Sequence, residues 1–282
     1  MKRNIILVIT VLFTTCCVNA FAQTNTYPFA VKKSGQGKQT IIFIPGFASS
    51  DDVWAETKTK FEKDFTCISF TMAGFAGVPA QPEQTFVKWE TSIAKYVRDN
   101  KIEKPVIIGH SMGGVLALAI AADFPDLPGK IIVVDALPCR SAAMDPAFKS
   151  KENNDCSAMV NQMAAMSNEQ FKQMQIVNIA SLCSDKEKQS LIVNWGLQTD
   201  RKTFAEMFCD FSNTDLREKI SNIKCSSLIL LESYFASMKP MIEEQYKNLK
   251  AGNLQYANKG LHFIMYDDKE WYFDQLNKFI AQ

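Results

Sequence analysis

The stretch KPVIIGHSMGGVLALAIAADFP, residues 104–125, leaves the chain little freedom in how it folds. Val106, Ile107 and Ile108 are β-branched and apolar with no alternation, as in a strand buried on both faces of a parallel sheet. Residues 115–122 are apolar nearly all round, which predicts a helix buried on every side. Between them, Gly109 and Gly113 stand two residues before and two after Ser111. A serine on a sharp strand-to-helix turn needs small residues at those positions to avoid a backbone clash. Such a turn lifts the serine oxygen above the sheet, beside a helix N-terminus. The bland alternative is a glycine-rich turn without chemistry.

The same rhythm recurs along the chain. QTIIFIPGF (39–47) reads as a buried strand entering a loop, and SSDDVWAETKTKFEKDF as a Ser/Asp-capped helix. TCISFTM, GKIIVVDALP and KCSSLILLESYF (224–235) are further strands. TFVKWETSIAKYVRDNK and KEWYFDQLNKFIAQ are amphipathic helices, and KPMIEEQYKNLKAG is a helix opened by Pro240. LQYANKGLHFIMYDD gives a last short strand and a turn holding His262. Strands alternating with helices predict an α/β fold, a mostly parallel central sheet flanked by helices. Residues 137–222 break the rhythm, with helical periodicity, many methionines and no convincing strand. They are expected to form an inserted helical cap, splitting the core into 23–136 and 223–282. The methionines read either as the cap's own core or as a soft lining for an apolar acyl group.

Residues 1–22 have the pattern of a secretory leader: Lys2 and Arg3, an apolar run, then Ala20-Phe21-Ala22. Cleavage is expected after Ala22, giving a periplasmic or secreted protein without stable membrane insertion. It would remove Cys16 and Cys17 and leave Cys67, Cys139, Cys156, Cys183, Cys209 and Cys225. Export permits disulfides among these, with pairing open. The formal net charge of +1 gives no reason to expect nucleic acid as a partner.

A serine needs a base to become a nucleophile. The chain has two histidines. His110 adjoins Ser111 and is expected to pack beneath the turn. His262, between the last strand and the last helix, is the candidate base, and the order Ser then His suits this architecture. Backbone N–H groups of Met112 and Phe47 are the candidate oxyanion donors, with Gly46 letting the Phe47 backbone approach.

IIFIPGFASSDDVW, AGFAGVPAQP, VIIGHSMGG, IIVVDALP, NTDLREKISNIKCSSLIL and LHFIMYDDKEWYFDQLNKFI together resemble the α/β-hydrolase fold superfamily, in its lid-bearing esterase- and lipase-like branch. The resemblance covers roughly residues 28–282 and is weak across 140–205. It implies a Ser-His-acid triad acting on a small-molecule acyl ester through an acyl-enzyme, with no metal or organic cofactor. Many members carry the acid just after the strand that here reads SSLILLESYF, where Phe235 cannot orient an imidazole. Others place it at the end of the strand after the nucleophile helix, which is Asp135 here. Asp135 is therefore the expected acid and Glu232 the alternative. Asp267 and Asp268 are expected to cap the last helix. An acyltransferase, perhydrolase or peptidase could use the same triad, and a non-catalytic relative that binds a ligand is the remaining class.

Overall fold

A computed structural model describes residues 27–281. The expected leader, with Cys16 and Cys17, lies outside the described residues. Seven strands form one sheet in the order β1-β3-β2-β4-β5-β6-β7. These are β1 Phe29–Ser34, β2 Gln39–Ile44, β3 Phe65–Met72, β4 Val106–His110, β5 Lys130–Val134, β6 Ser226–Leu231 and β7 Gly252–Tyr256. Only β1 runs antiparallel, beside β3. Its one fully buried residue is Phe29, and Lys32 and Lys33 face solvent, so it carries no core pattern to read. Charged residues of this kind protect an exposed edge from further pairing.

The central strands alternate their side chains between two cores. Ile42 and Ile44 join Ile107, Ile131 and Val133 on one face, and Ile41 and Phe43 join Ile108, Ile132 and Val134 on the other. Helices α2 (Phe86–Asp99), α3 (Met112–Asp123) and α8 (Lys239–Tyr246) cover the first face. Helices α1 (Ala55–Phe61), α9 (Ile264–Asp267) and α10 (Lys269–Ile280) cover the second. Full burial of each large apolar side chain contributes about 1.5–3 kcal/mol. Eleven of the residues of α3 are buried, as its unbroken apolar sequence requires.

Helical structure in the inserted segment begins later than expected. Residues 137–156 are irregular apart from a 3-10 turn at Ser141–Ala143. The helices are α4 (Ser157–Ala165), α5 (Asn168–Leu182), α6 (Lys186–Leu197) and α7 (Arg201–Ser212). Met163, Phe171 and Ala205 centre a separate small core, joined by Met159, Met166 and Met174. Asp210 of α7 accepts from the Phe86 backbone N–H at 2.7 Å, tying this block to α2. A disulfide joins Cys156, just before α4, to Cys209 of α7, while Cys67, Cys139, Cys183 and Cys225 are free. The strand expected over 224–235 ends at Leu231, and Ser233–Met238 turns into a 3-10 helix.

Glu90 of α2 is 2 % exposed, and its Oε1 has no hydrogen-bond partner among the described residues. Burial, reinforced by Asp123 at the end of α3, pushes its carboxyl pKa from 4.5 up to about 8. Folding therefore takes up a proton within that window, and stability falls as pH rises through it. Glu90→Gln removes this penalty. Its melting temperature should exceed that of the parent by a few °C at pH 8 and converge with it toward pH 4.5. Thermal denaturation followed by circular dichroism across pH checks this, and a gain that does not grow with pH contradicts it.

Candidate active site

The carboxyl ends of β2, β4, β5 and β6 lie side by side, in the region where open α/β sheets bind ligands. Ser111 occupies the step from β4 to α3 with φ 52° and ψ −122°, outside the regions that residues with a side chain favour. Its N–H donates to the Val134 carbonyl at 2.8 Å, which pins the turn to β5. The flanking glycines are required by contact. A Cβ on Gly109 would lie 2.0 Å from the Gly113 carbonyl oxygen, and one on Gly113 would lie 2.3 Å from that of Ile44.

Met112 begins α3, so its N–H has no acceptor within the helix. Phe47 lies in the loop after β2. Gly46 lets that loop close on the turn: a Cβ there would sit 2.8 Å from His110 Nδ1 and 3.3 Å from Ser111 Cβ. The loop is fastened by buried Asp51, which accepts from Lys58 Nζ at 3.0 Å, Ser69 Oγ at 3.1 Å and Thr71 Oγ1 at 3.1 Å. Burial opposes ionisation of Asp51, but Lys32 and Lys58 hold its carboxyl below the ordinary range.

Asp135 follows β5 directly, with φ 49°. Its N–H donates to the Leu230 carbonyl at 2.7 Å. Its carboxylate is almost wholly buried and is divided between two partners: Oδ2 lies 2.6 Å from His262 Nδ1, and Oδ1 accepts from the Glu232 backbone N–H at 2.7 Å. Glu232 thus supports Asp135 through its main chain, and His262 pairs with Asp135. Burial and the nearby Asp135 charge raise the Glu232 carboxyl to about 7.

His110 is 1 % exposed, and burial drives its pKa well below the ordinary value, so it is neutral. Its Nε2–H donates to the His262 carbonyl at 3.0 Å. The two rings lie 4.7 Å apart, centroid to centroid. This bracket on the His262 loop goes beyond the simple packing role expected for His110. Asp267 and Asp268 also differ from expectation. Asp268 occupies the N-cap position of α10 without a side-chain capping bond, and accepts instead from the backbone of Asn258 and Lys259. Asp267 accepts from Leu261 N–H at 3.1 Å and from Ser184 N–H at 2.9 Å, joining the His262 loop to the α5–α6 corner. Loop amides, already committed in sequence to no helix or strand, outcompete the helix end for these carboxylates.

Ser111, His262, Asp135, Glu232 and Phe47 line one cavity of about 580 Å³. Ser111 and His262 are not directly hydrogen-bonded among the described residues. In unliganded sites such bonds are often long and tighten only with substrate. The cap contributes Phe204, Phe208 and Phe211 from α7 and Gln175, Asn178 and Ser181 from α5. None of its methionines is among the described lining residues; Met159, Met163, Met166 and Met174 serve the small core between α4, α5 and α7.

This arrangement can support nucleophilic attack by an activated hydroxyl on an electrophilic centre. The chain carries the α/β-hydrolase fold. Its residues 39–162 match the alpha/beta hydrolase fold family. A hydrolase from Oleispira antarctica superimposes with a TM-score of 0.76 at 17 % identity, covering 90 % of this chain and 95 % of that one. The enol-lactonase from Burkholderia xenovorans gives a TM-score of 0.75 at 14 % identity, covering 90 % and 96 %. Among curated relatives, the pimeloyl-(acyl-carrier protein) methyl ester esterase of Wigglesworthia glossinidia brevipalpis is 22 % identical over 202 residues, 71 % of this chain and 76 % of its own. The dihydrolipoyllysine-residue acetyltransferase component of the acetoin cleaving system from Cupriavidus necator is 26 % identical over 106 residues, 37 % of this chain. That match spans only 28 % of the Cupriavidus protein. Esterases and other hydrolases thus recur among the relatives and neighbours of this α/β-hydrolase-fold chain.

Because Gly113 abuts backbone and not a flexible side chain, no local rearrangement can accommodate a methyl group there. Gly113→Ala should lose about 3 kcal/mol of stability, at the upper end of overpacking costs. Urea denaturation measures this, and an unchanged midpoint would refute the contact argument.

Proposed function

We propose that this protein is a serine hydrolase of carboxylic esters. The observation that carries the proposal is the 2.6 Å contact between Asp135 and His262 in the cavity that Ser111 lines from its strained turn. In this reading Ser111 Oγ attacks the acyl carbonyl while His262 Nε2 takes the hydroxyl proton. Asp135 holds the imidazole through Nδ1–H and stabilises the cation that forms. The tetrahedral oxyanion accepts from the Phe47 and Met112 N–H groups. Collapse breaks the bond to the alcohol oxygen, which leaves with the proton from His262. A water molecule then gives one proton to His262 as its oxygen bonds the acyl carbon; the bond from that carbon to Ser111 Oγ breaks, His262 returns the proton to Oγ, and the acid leaves. The esterase and lactonase among the similar proteins support ester chemistry over amide cleavage.

A fluorophosphonate probe should label the protein, and Ser111→Ala should abolish labelling. An unlabelled parent would favour the ligand-binding class. In turnover of a p-nitrophenyl ester, Asp135→Asn should cost about 10⁴ in kcat. Glu232→Gln should retain activity within about tenfold, because the Glu232 main chain, and not its carboxyl, meets Asp135. The opposite ranking would transfer the acid role to Glu232.

A further inference from the structure

Arg140 is the one Lys or Arg among the described lining residues of the cavity. Its guanidinium lies 5.1 Å from the centroid of the Phe208 ring, on the aromatic wall built by α7. No carboxylate lies within 4.0 Å of it among the described residues, whereas Arg217 is forked onto Asp215. Arg140 is solvent-accessible, yet enough protein surrounds it that desolvation lowers its pKa. The guanidinium nevertheless keeps its charge at neutral pH.

The backbone beneath it is firmly held. Tyr246 Oη donates to the Ala136 carbonyl at 2.6 Å, Cys139 N–H donates to Gln245 Oε1 at 3.1 Å, and Ser141 Oγ donates to the Ser212 carbonyl at 2.6 Å. Arg140 therefore projects from a fixed base five residues beyond Asp135. Gln175 of α5 also lines the cavity and is 5 % exposed.

We propose that Arg140 is a specificity residue that receives a carboxylate carried by the acyl group of the substrate, away from the scissile carbonyl. This rests on the ester-hydrolase reading above. A planar, forked donor suits a carboxylate. A single cation that shares its cavity with Asp135 and Glu232 suits a monoanion better than a phosphate dianion. The aromatic wall from α7 then receives the methylene chain between the two ends of the acyl group.

The test compares mono-p-nitrophenyl adipate with p-nitrophenyl hexanoate, acyl chains of equal length with and without the distal carboxylate. The parent enzyme should favour the adipate ester by about 10- to 100-fold in kcat/KM. Arg140→Gln should bring the ratio near or below one, Arg140→Lys should restore part of it, and Arg98→Gln, on the exposed surface of α2, should leave it intact. Hydrolysis of both esters without preference, or a preference that survives Arg140→Gln, overturns the Arg140 assignment and leaves the hydrolase reading standing. If neither ester is cleaved, the hydrolase reading fails, and calorimetry decides the assignment separately. Adipic acid monoamide should bind the Ser111→Ala protein at least tenfold more tightly than it binds the Ser111→Ala, Arg140→Gln protein; equal binding overturns the assignment. Stronger competitive inhibition by inorganic phosphate than by adipate would also overturn it.

Discussion

The approach of Gly109 to Gly113 governs the geometry around the cavity. It lets the first turn of α3 sit against the end of β4, with the Ile44 and Pro45 carbonyls pressed onto Gly113. One contact region thus sets two things: the direction of the Ser111 side chain and the start of the loop that carries Phe47. A residue with a Cβ at either glycine would part the helix from the strands, and the Ser111 backbone could not hold a positive φ. Asp51, fastened to β3 and α1, then keeps the far end of the Phe47 loop in place.

Charge in the cavity is arranged unevenly. Asp135 spends one oxygen on His262 and the other on a main-chain N–H, so its negative charge is fully engaged. Glu232 sits close by with its carboxyl raised to about 7, largely because burial disfavours a second anion there. Arg140 stands apart on the aromatic wall without an acidic partner among the described residues. An anion inside the cavity therefore meets one unopposed cation and, in Glu232, a carboxyl that burial keeps readily protonated.

Much of the core was legible in the sequence, because buried parallel strands and an all-apolar helix leave unbroken hydrophobic runs. Strand β1 was not, since only Phe29 enters the core. Ser111 could be picked out by its glycines, and His262 by scarcity. Asp135 could be named only through family resemblance, because many carboxylates follow strands and the sequence does not show which one approaches an imidazole. Glu232 lies one residue beyond β6 and meets Asp135 through its backbone N–H, a bond that the sequence does not show. The Met-rich composition of the cap left an internal core and a substrate lining both open, and the packing of Met163, Met159, Met166 and Met174 around Phe171 and Ala205 places these four in an internal core. The Cys156–Cys209 pair required the fold of α4 onto α7, which no spacing rule supplies. Arg140 is not legible in the sequence, because a lone arginine before a helical segment has no signature.

The route of the chain around the helical block has a mechanical meaning. Asp135 is the last residue before the backbone leaves the sheet toward the cap, and Asp267 ties the His262 loop to Ser184 at the corner between α5 and α6. The two members of the 2.6 Å pair are therefore seated differently: α8 holds the chain just after Asp135, whereas the seat of the imidazole depends through Asp267 on where the α5–α6 corner lies.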